Sequence, residues 1–270
     1  MNSATGFMHG KRGLVMGVAN DHSIAYGVAR VLARHGAELA LTYQGEQILK
    51  RVAPIAEELG SKLVLPCDVE DIATVDEVFA RLEHEWGELD FFVHSIGYSD
   101  KSELKGLYAD TSRDNFIRTM VISAFSFTEG AKRAAYLMKN KGGAMLTVSF
   151  AGGTHVMPNY NVMGVAKAAL DSSVRYLAAD FGARGIRVNA ISPGPVRTMA
   201  GAGITGARAM GAFQKAHCPL RRMITLDEIG GSALYFLSEL SGGVTGEIHH
   251  VDAGYNIMLQ PRPEDVGGGE

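Results

Sequence analysis

The feature that most constrains the fold is an alternation running along the whole chain. Short apolar, β-branched runs are each followed by a longer segment with helical spacing. The runs fall at residues 14–18, 39–43, 63–67, 91–96, 145–150, 188–191 and 248–251. Between them, Ile24, Val28, Val31 and Leu32 form one apolar stripe, and Ile48, Val52, Ile55 and Leu59 a second. Ile72, Val75, Phe79 and Leu82 repeat the pattern, as do Leu170, Val174, Leu177 and Phe181, and finally Ile229, Ala233, Phe236, Leu237 and Leu240. Only the connection at residues 112–139 lacks a clear phase. Strands that are apolar throughout must be covered on both faces, and right-handed helical crossovers supply that cover. The expectation is an α/β fold, a doubly wound parallel sheet of about seven strands, in a single domain over residues 1–258. The polar tail at residues 259–270, rich in Pro and Gly, is expected to be disordered.

Composition narrows the class of protein. At 270 residues and 46% apolar the chain can build a large core without disulfides or a structural metal. A net charge of −3 argues against nucleic acid as a partner. Cys67 and Cys218 match no zinc or redox spacing, so no metal is expected, and free thiols fit the cytoplasm. Residues 142–166 lack charge, but Pro158, His155, Asn159 and Asn161 make a membrane span a poor reading of them. No apolar run near the start is long enough for a secretory signal.

In a doubly wound sheet ligands lie beyond the carboxyl ends of the strands, and the unusual residues fall there. Gly17 and Gly27 bracket the first turn and Ser23 precedes the first helix. This arrangement suits a pyrophosphate at a helix N-terminus, or an ordinary turn with Ser23 as the cap. Gln44 ends the second strand, where an acid or a nearby Arg would otherwise read the ribose; an uncharged side chain there points to NAD(H) over NADP(H). Asp68 and Val69 end the third strand, where Asp68 can accept from an adenine amino group or cap the helix near Ile72. After the fifth strand come Tyr160 and Lys167, about two helical turns apart on one face. A cation beside a phenol strengthens its hydrogen bonding and favours its anion, although such a pair also arises by accident on many helices.

Taken together, these segments resemble the short-chain dehydrogenase/reductase superfamily and, within it, the NADH-dependent enoyl-acyl-carrier-protein reductases. The matching motifs are Gly17-Val-Ala with Ser23-Ile24-Ala-Tyr-Gly27, Thr42-Tyr43-Gln44, Cys67-Asp68-Val69, His94-Ser95-Ile96-Gly97, Pro158-Asn-Tyr160 through Lys167, Arg187 through Ala200, and Gly246 through Asp252. The resemblance implies a Rossmann-like fold. Cofactor contacts would come from Gly17, Ser23, Ile24, Gln44, Asp68, Val69, Ile96, Lys167, Val196, Arg197, Thr198, Met199 and Ala200. It implies catalytic roles for Tyr160 and Lys167, a substrate pocket with Tyr98, Ser99, Phe150 and Tyr160, an acyl carrier protein as the partner delivering an enoyl chain, and a homotetramer. Typical carbonyl reductases of the superfamily have Lys where this chain has Gly164, and a catalytic Ser where it has Thr147. The enoyl reductases commonly carry a second Tyr at the position of Phe150, which cannot donate a proton. The alternatives are reduction of a ketone or aldehyde, and a silent NAD-binding sensor.

Charge placement adds one expectation. Between Phe181 and Leu226 there are seven basic residues and no acid. Among them, Arg187 is expected to serve the fold. Arg208, Lys215, Arg221 and Arg222 flank a Gly- and Met-containing stretch, so a lid at about residues 197–222 with a rim that steers an acidic carrier is the reading.

Overall fold

A computed structural model describes residues 6–139, 141–196 and 207–260. Seven strands form one sheet: β1 (Arg12–Met16), β2 (Glu38–Tyr43), β3 (Leu63–Pro66), β4 (Phe91–His94), β5 (Gly143–Val148), β6 (Ile186–Pro193) and β7 (Ile248–Val251). All are parallel, in the order β3-β2-β1-β4-β5-β6-β7. The described helices are α1 (Ile24–Arg34), α2 (Glu46–Glu58), α3 (Ile72–Trp86), α4 (Arg113–Met120), α5 (Ser126–Met138), α6 (Asn161–Gly182), α7 (Ala207–His217) and α8 (Leu226–Leu237).

Successive strand residues point to opposite faces, and each face has its own core. Val15, Leu41, Val93, Leu146 and Ile191 pack under α1, α2 and α8. Leu14, Met16, Phe92, Met145 and Val188 pack under α3, α5 and α6. Gly27 serves helix-to-helix rather than helix-to-strand contact: a Cβ there would lie 2.7 Å from Leu226 Cβ, and one at Gly230 would lie 2.4 Å from Val31. Bare backbone on both sides lets α1 and α8 touch.

The strand ends differ from the sequence reading in an informative way. β1 stops at Met16 because Gly17 turns into the left-handed region, φ +98°. A side chain there would also meet the carbonyl of Ser95 at 2.1 Å, so this position is closed to every other residue. β4 and β5 likewise end at His94 and Val148, and residues 95–98 beyond β4 turn to line the cleft at the sheet's edge. The indistinct segment is α4, then a π-helical turn at Val121–Phe125, then α5. A π turn inserts a residue into the helical repeat and shifts its phase, which is why no single stripe fits.

Residues 142–166 form β5, the turn after it and the start of α6; among the described residues no helix is long and apolar enough to cross a membrane. Arg187 serves the fold, donating to the carbonyls of Phe236 (2.8 Å) and Ser238 (2.9 Å). Arg197, Thr198, Met199 and Ala200, with the other lid residues up to 206, and residues 261–270 lie outside the described residues.

Candidate active site

Strand order reverses at β1, whose neighbours are β2 and β4, so the loops after β1 and β4 part and open a cleft. It has a volume of about 390 Å³ and brings together Gly17, Ser23, Ile24, Gln44, Asp68, Val69 and Ile96. Val196 sits half-buried against the adjoining core. Ser23 caps α1, its Oγ accepting from Tyr26 N (3.4 Å) and donating to Asn20 O (2.7 Å). No acid lies in the first turn of α1, so the positive end of the helix dipole faces the cleft uncompensated. An anion such as a pyrophosphate fits that position. Asp68 does not cap α3: Asp71 does, accepting from Ala73 N (3.1 Å), while Asp68 Oδ1 accepts from Glu70 N (2.9 Å) within its own turn. At the rim Arg118 forms a double hydrogen bond to Glu70 (2.8 and 2.7 Å) and lies 4.6 Å over the ring of Tyr98.

Behind Gly97, which lines the cleft, lie Lys167 and Met163: a Cβ on Gly97 would be 3.9 Å from Lys167 Nζ and 3.6 Å from Met163 Cε. Lys167 is buried, and Nζ donates to the carbonyl of Val148 (2.7 Å), the last residue of β5. Burial pushes its pKa down to about 8, against the pull of Asp171. Tyr160 stands at the N-cap of α6 rather than inside the helix. Asn159 and Asn161 on either side both adopt positive φ (58° and 34°), tolerated by Asn better than by most residues. Asn161 Nδ2 donates to Glu103 O (3.2 Å), tying the turn to the loop after β4.

The Tyr160 ring meets Phe150 edge-on, centroids 5.1 Å apart, and closes over Gly152. Its pKa is raised, by burial and then by the negative Asp171. This corrects the expectation of a phenol drawn toward its anion by Lys167. Tyr160 stays a neutral hydrogen-bond donor.

Beneath this pair His94 is buried and held neutral, its pKa pushed down to about 3 by desolvation and then by Lys167. Ser126 Oγ donates to Ile122 O (2.7 Å), which leaves it to accept from His94 Nε2 (2.8 Å). Nδ1 is then an acceptor, and the single Thr147 hydroxyl proton lies between His94 Nδ1 and the His94 carbonyl, each 3.1 Å from Oγ. The hydroxyl standing where carbonyl reductases carry their Ser is therefore buried below the sheet edge and committed. Ser99 is not brought into the cleft: its buried hydroxyl bonds to Thr119 (2.9 Å) and Asn115 (3.3 Å).

A cleft where strand order reverses in a seven-stranded parallel sheet, with a buried Tyr and a buried Lys at the head of the neighbouring helix, is the arrangement of the short-chain class of nicotinamide-dependent oxidoreductases. A model of the enoyl-(acyl carrier protein) reductase family matches residues 17–256. An enoyl-[acyl-carrier-protein] reductase [NADH] of Rhizobium meliloti is 67% identical over 96% of each chain. The crystal structure of FabI from Candidatus Liberibacter asiaticus superimposes with a TM-score of 0.93 at 56% identity, over 95% of this chain and 99% of that one. The reductase of Anaplasma phagocytophilum, in complex with NAD, does so at 0.92 and 53% identity, over 96% and 98%. The chain belongs to the enoyl-acyl-carrier-protein reductase family.

Proposed function

We propose that this protein reduces a trans-2-enoyl thioester, carried on an acyl carrier protein, to the saturated acyl thioester with NADH, a step of fatty acid elongation. The observation that carries the reading is the burial of Tyr160 and Lys167 at the head of α6, with Lys167 Nζ 3.9 Å from where a Cβ on the cleft residue Gly97 would lie, and with the Thr147 hydroxyl committed elsewhere. Bound there, the dinucleotide supplies a hydride. Tyr160, Phe150 and Tyr98 line the space for the acyl chain, and Ser99 shapes it through the loop it anchors. Addition at the β-carbon places negative charge on the thioester oxygen. Tyr160, kept neutral, donates a hydrogen bond to that oxygen, and Lys167 holds the nicotinamide ribose and adds positive potential. Gly17, Ser23, Ile24, Gln44, Asp68, Val69, Ile96 and residues 196–200 hold the rest of the cofactor. The test is consumption of one NADH per crotonyl thioester with a product heavier by one hydride and one proton; no product of that mass contradicts the reading.

Gln44 follows β2 and is uncharged, and Glu46 opens α2 two residues on. Arg118, the cation among the described cleft-lining residues, is already paired with Glu70. A 2′-phosphate would find a nearby carboxylate and no free partner among those lining residues. Like charges brought together cost upwards of ~1.4 kcal/mol, or tenfold. kcat/KM with NADH is expected to exceed that with NADPH by about tenfold or more; equal values overturn this account of Gln44.

The carrier-docking reading needs trimming. Arg222 is held in a double hydrogen bond to Glu228 (2.9 and 2.6 Å), whose carboxylate also completes the capping box of α8. Arg221 is half-buried beside it, so the proposal keeps Lys215, exposed on α7, and Arg208 as the steering charges. Charge reversal at both is expected to raise KM for the carrier-linked substrate by roughly two- to fivefold per charge and to spare a carrier-free thioester. Equal loss with both substrates assigns these residues to the fold. A homotetramer in the cytoplasm completes the proposal; exposed Phe116 and Ile117 on α4, Phe125 beyond it and Tyr176 on α6 supply apolar surface for subunit contact.

A further inference from the structure

Asp171 carries no signal of function in the sequence, and none of the contacts above accounts for its burial. It lies one turn beyond Lys167 on α6 and is only 6% exposed. Its carboxylate accepts a short hydrogen bond from Ser149 Oγ. Lys167 donates to the carbonyl of Val148, so two successive residues leaving β5 each grip one of two successive turns of α6. The turn that follows closes over the same helix face: a Cβ on Gly153 would lie 3.0 Å from Ala168 N and 3.1 Å from Asp171 Oδ2. A side chain there would press on both, so glycine eases the close approach of the turn to the carboxylate.

We propose that Asp171 is a positioning residue: fixed by Ser149 beneath the site, its negative charge acts through space to keep both Lys167 and Tyr160 in their proton-bearing, hydrogen-bond-donating forms. A buried carboxylate without a compensating purpose is costly. Here it offsets the burial of Lys167, which favours the neutral amine, and opposes ionisation of the phenol. Burial raises the pKa of Asp171 itself; Ser149, Lys167, Arg175 further along α6 and His250 on β7 pull it back. Among the described residues His94 from β4 also faces Lys167, and it stays neutral. The dependence on pH follows. Rising through about 8, Lys167 loses its proton and donor capacity declines. As pH falls through the raised pKa of Asp171, the carboxylate is neutralised and its influence vanishes.

The inference rests on the reading of Lys167 as a cofactor-holding group, and the test separates the two. Protein labelled with 13C at lysine Cε is titrated without cofactor, the Lys167 signal being assigned by its loss in Lys167→Met. Asp171→Asn, which can still accept from Ser149, should move the Lys167 midpoint down by about one pH unit, the low end for removal of a neighbouring opposite charge. Asp171→Leu, apolar and of similar volume, should do the same should the amide fold poorly. Asp171→Glu should hold the midpoint near that of the unaltered protein. NADH affinity measured by fluorescence across the same pH range should lose its alkaline limb earlier in Asp171→Asn by the same shift. A midpoint unmoved in both Asn and Leu variants, or moved equally by Asp171→Glu, overturns the proposal. A midpoint that moves while NADH affinity keeps its pH profile supports the action of Asp171 on Lys167 and overturns the cofactor role of Lys167 instead.

Discussion

Tyr160→Phe is expected to lower turnover of an enoyl thioester by about 10²–10³-fold, the usual cost of one lost oxyanion donor. The expected dissociation constant for NADH changes by less than about twofold, because the phenol serves the reacting oxygen and not the cofactor. The fold should tolerate the change. The ring is 8% exposed and packs against Phe150 and Gly152, contacts that phenylalanine keeps. The sensitivity is large because Phe150 offers no second hydroxyl and Thr147 is turned away. Single-turnover rates with saturating NADH check the prediction; unchanged turnover would take Tyr160 out of the reaction.

Lys167→Ala should fail differently. The ammonium is a charged donor in a buried place, and hydrogen bonds from charged groups contribute about 1.5–3 kcal/mol. NADH affinity is therefore expected to fall by roughly 10- to 150-fold. In the unaltered protein, affinity should decline as pH rises through about 8, where Lys167 gives up its proton; in the Ala variant that dependence should disappear. The melting temperature should fall too, since the change empties a buried site and leaves Asp171 without its neighbouring cation. Fluorescence titration of NADH at several pH values measures both effects. Undiminished affinity would show that Lys167 does not hold the cofactor.

Much of the fold is legible in the sequence because the sheet is buried on both faces. Apolar runs such as residues 14–16 and 39–43 suit a covered strand better than any exposed element, and the helical stripes of α1 and α6 face the sheet as their spacing requires. What escapes a sequence reading is the fine structure at helix ends and junctions. Asp68 reads as a possible cap in sequence, and the turn geometry gives that place to Asp71 instead. The π turn at Val121–Phe125 leaves no compositional mark, yet it carries Ser123 to the backbone of Tyr98, with Oγ 2.9 Å from both its N and O. Ser99 reads as a pocket residue by position, but its hydroxyl points into the α4 network. The one mark Asp171 leaves is its place, an acid spaced one helical turn after a lysine. That spacing is common on solvated helices, and burial, which sequence does not report, sets this instance apart.

The central claim is that hydride goes to the β-carbon of an enoyl thioester and not to a carbonyl. Incubating the protein with NADH deuterated at the transferable position and trans-2-enoyl thioester, and in parallel with a ketone or 3-ketoacyl thioester, tests it most directly. The account predicts deuterium at the β-carbon of a saturated acyl product and negligible reduction of either ketone. Deuterium on a newly formed carbinol carbon, with the enoyl thioester left intact, would contradict it.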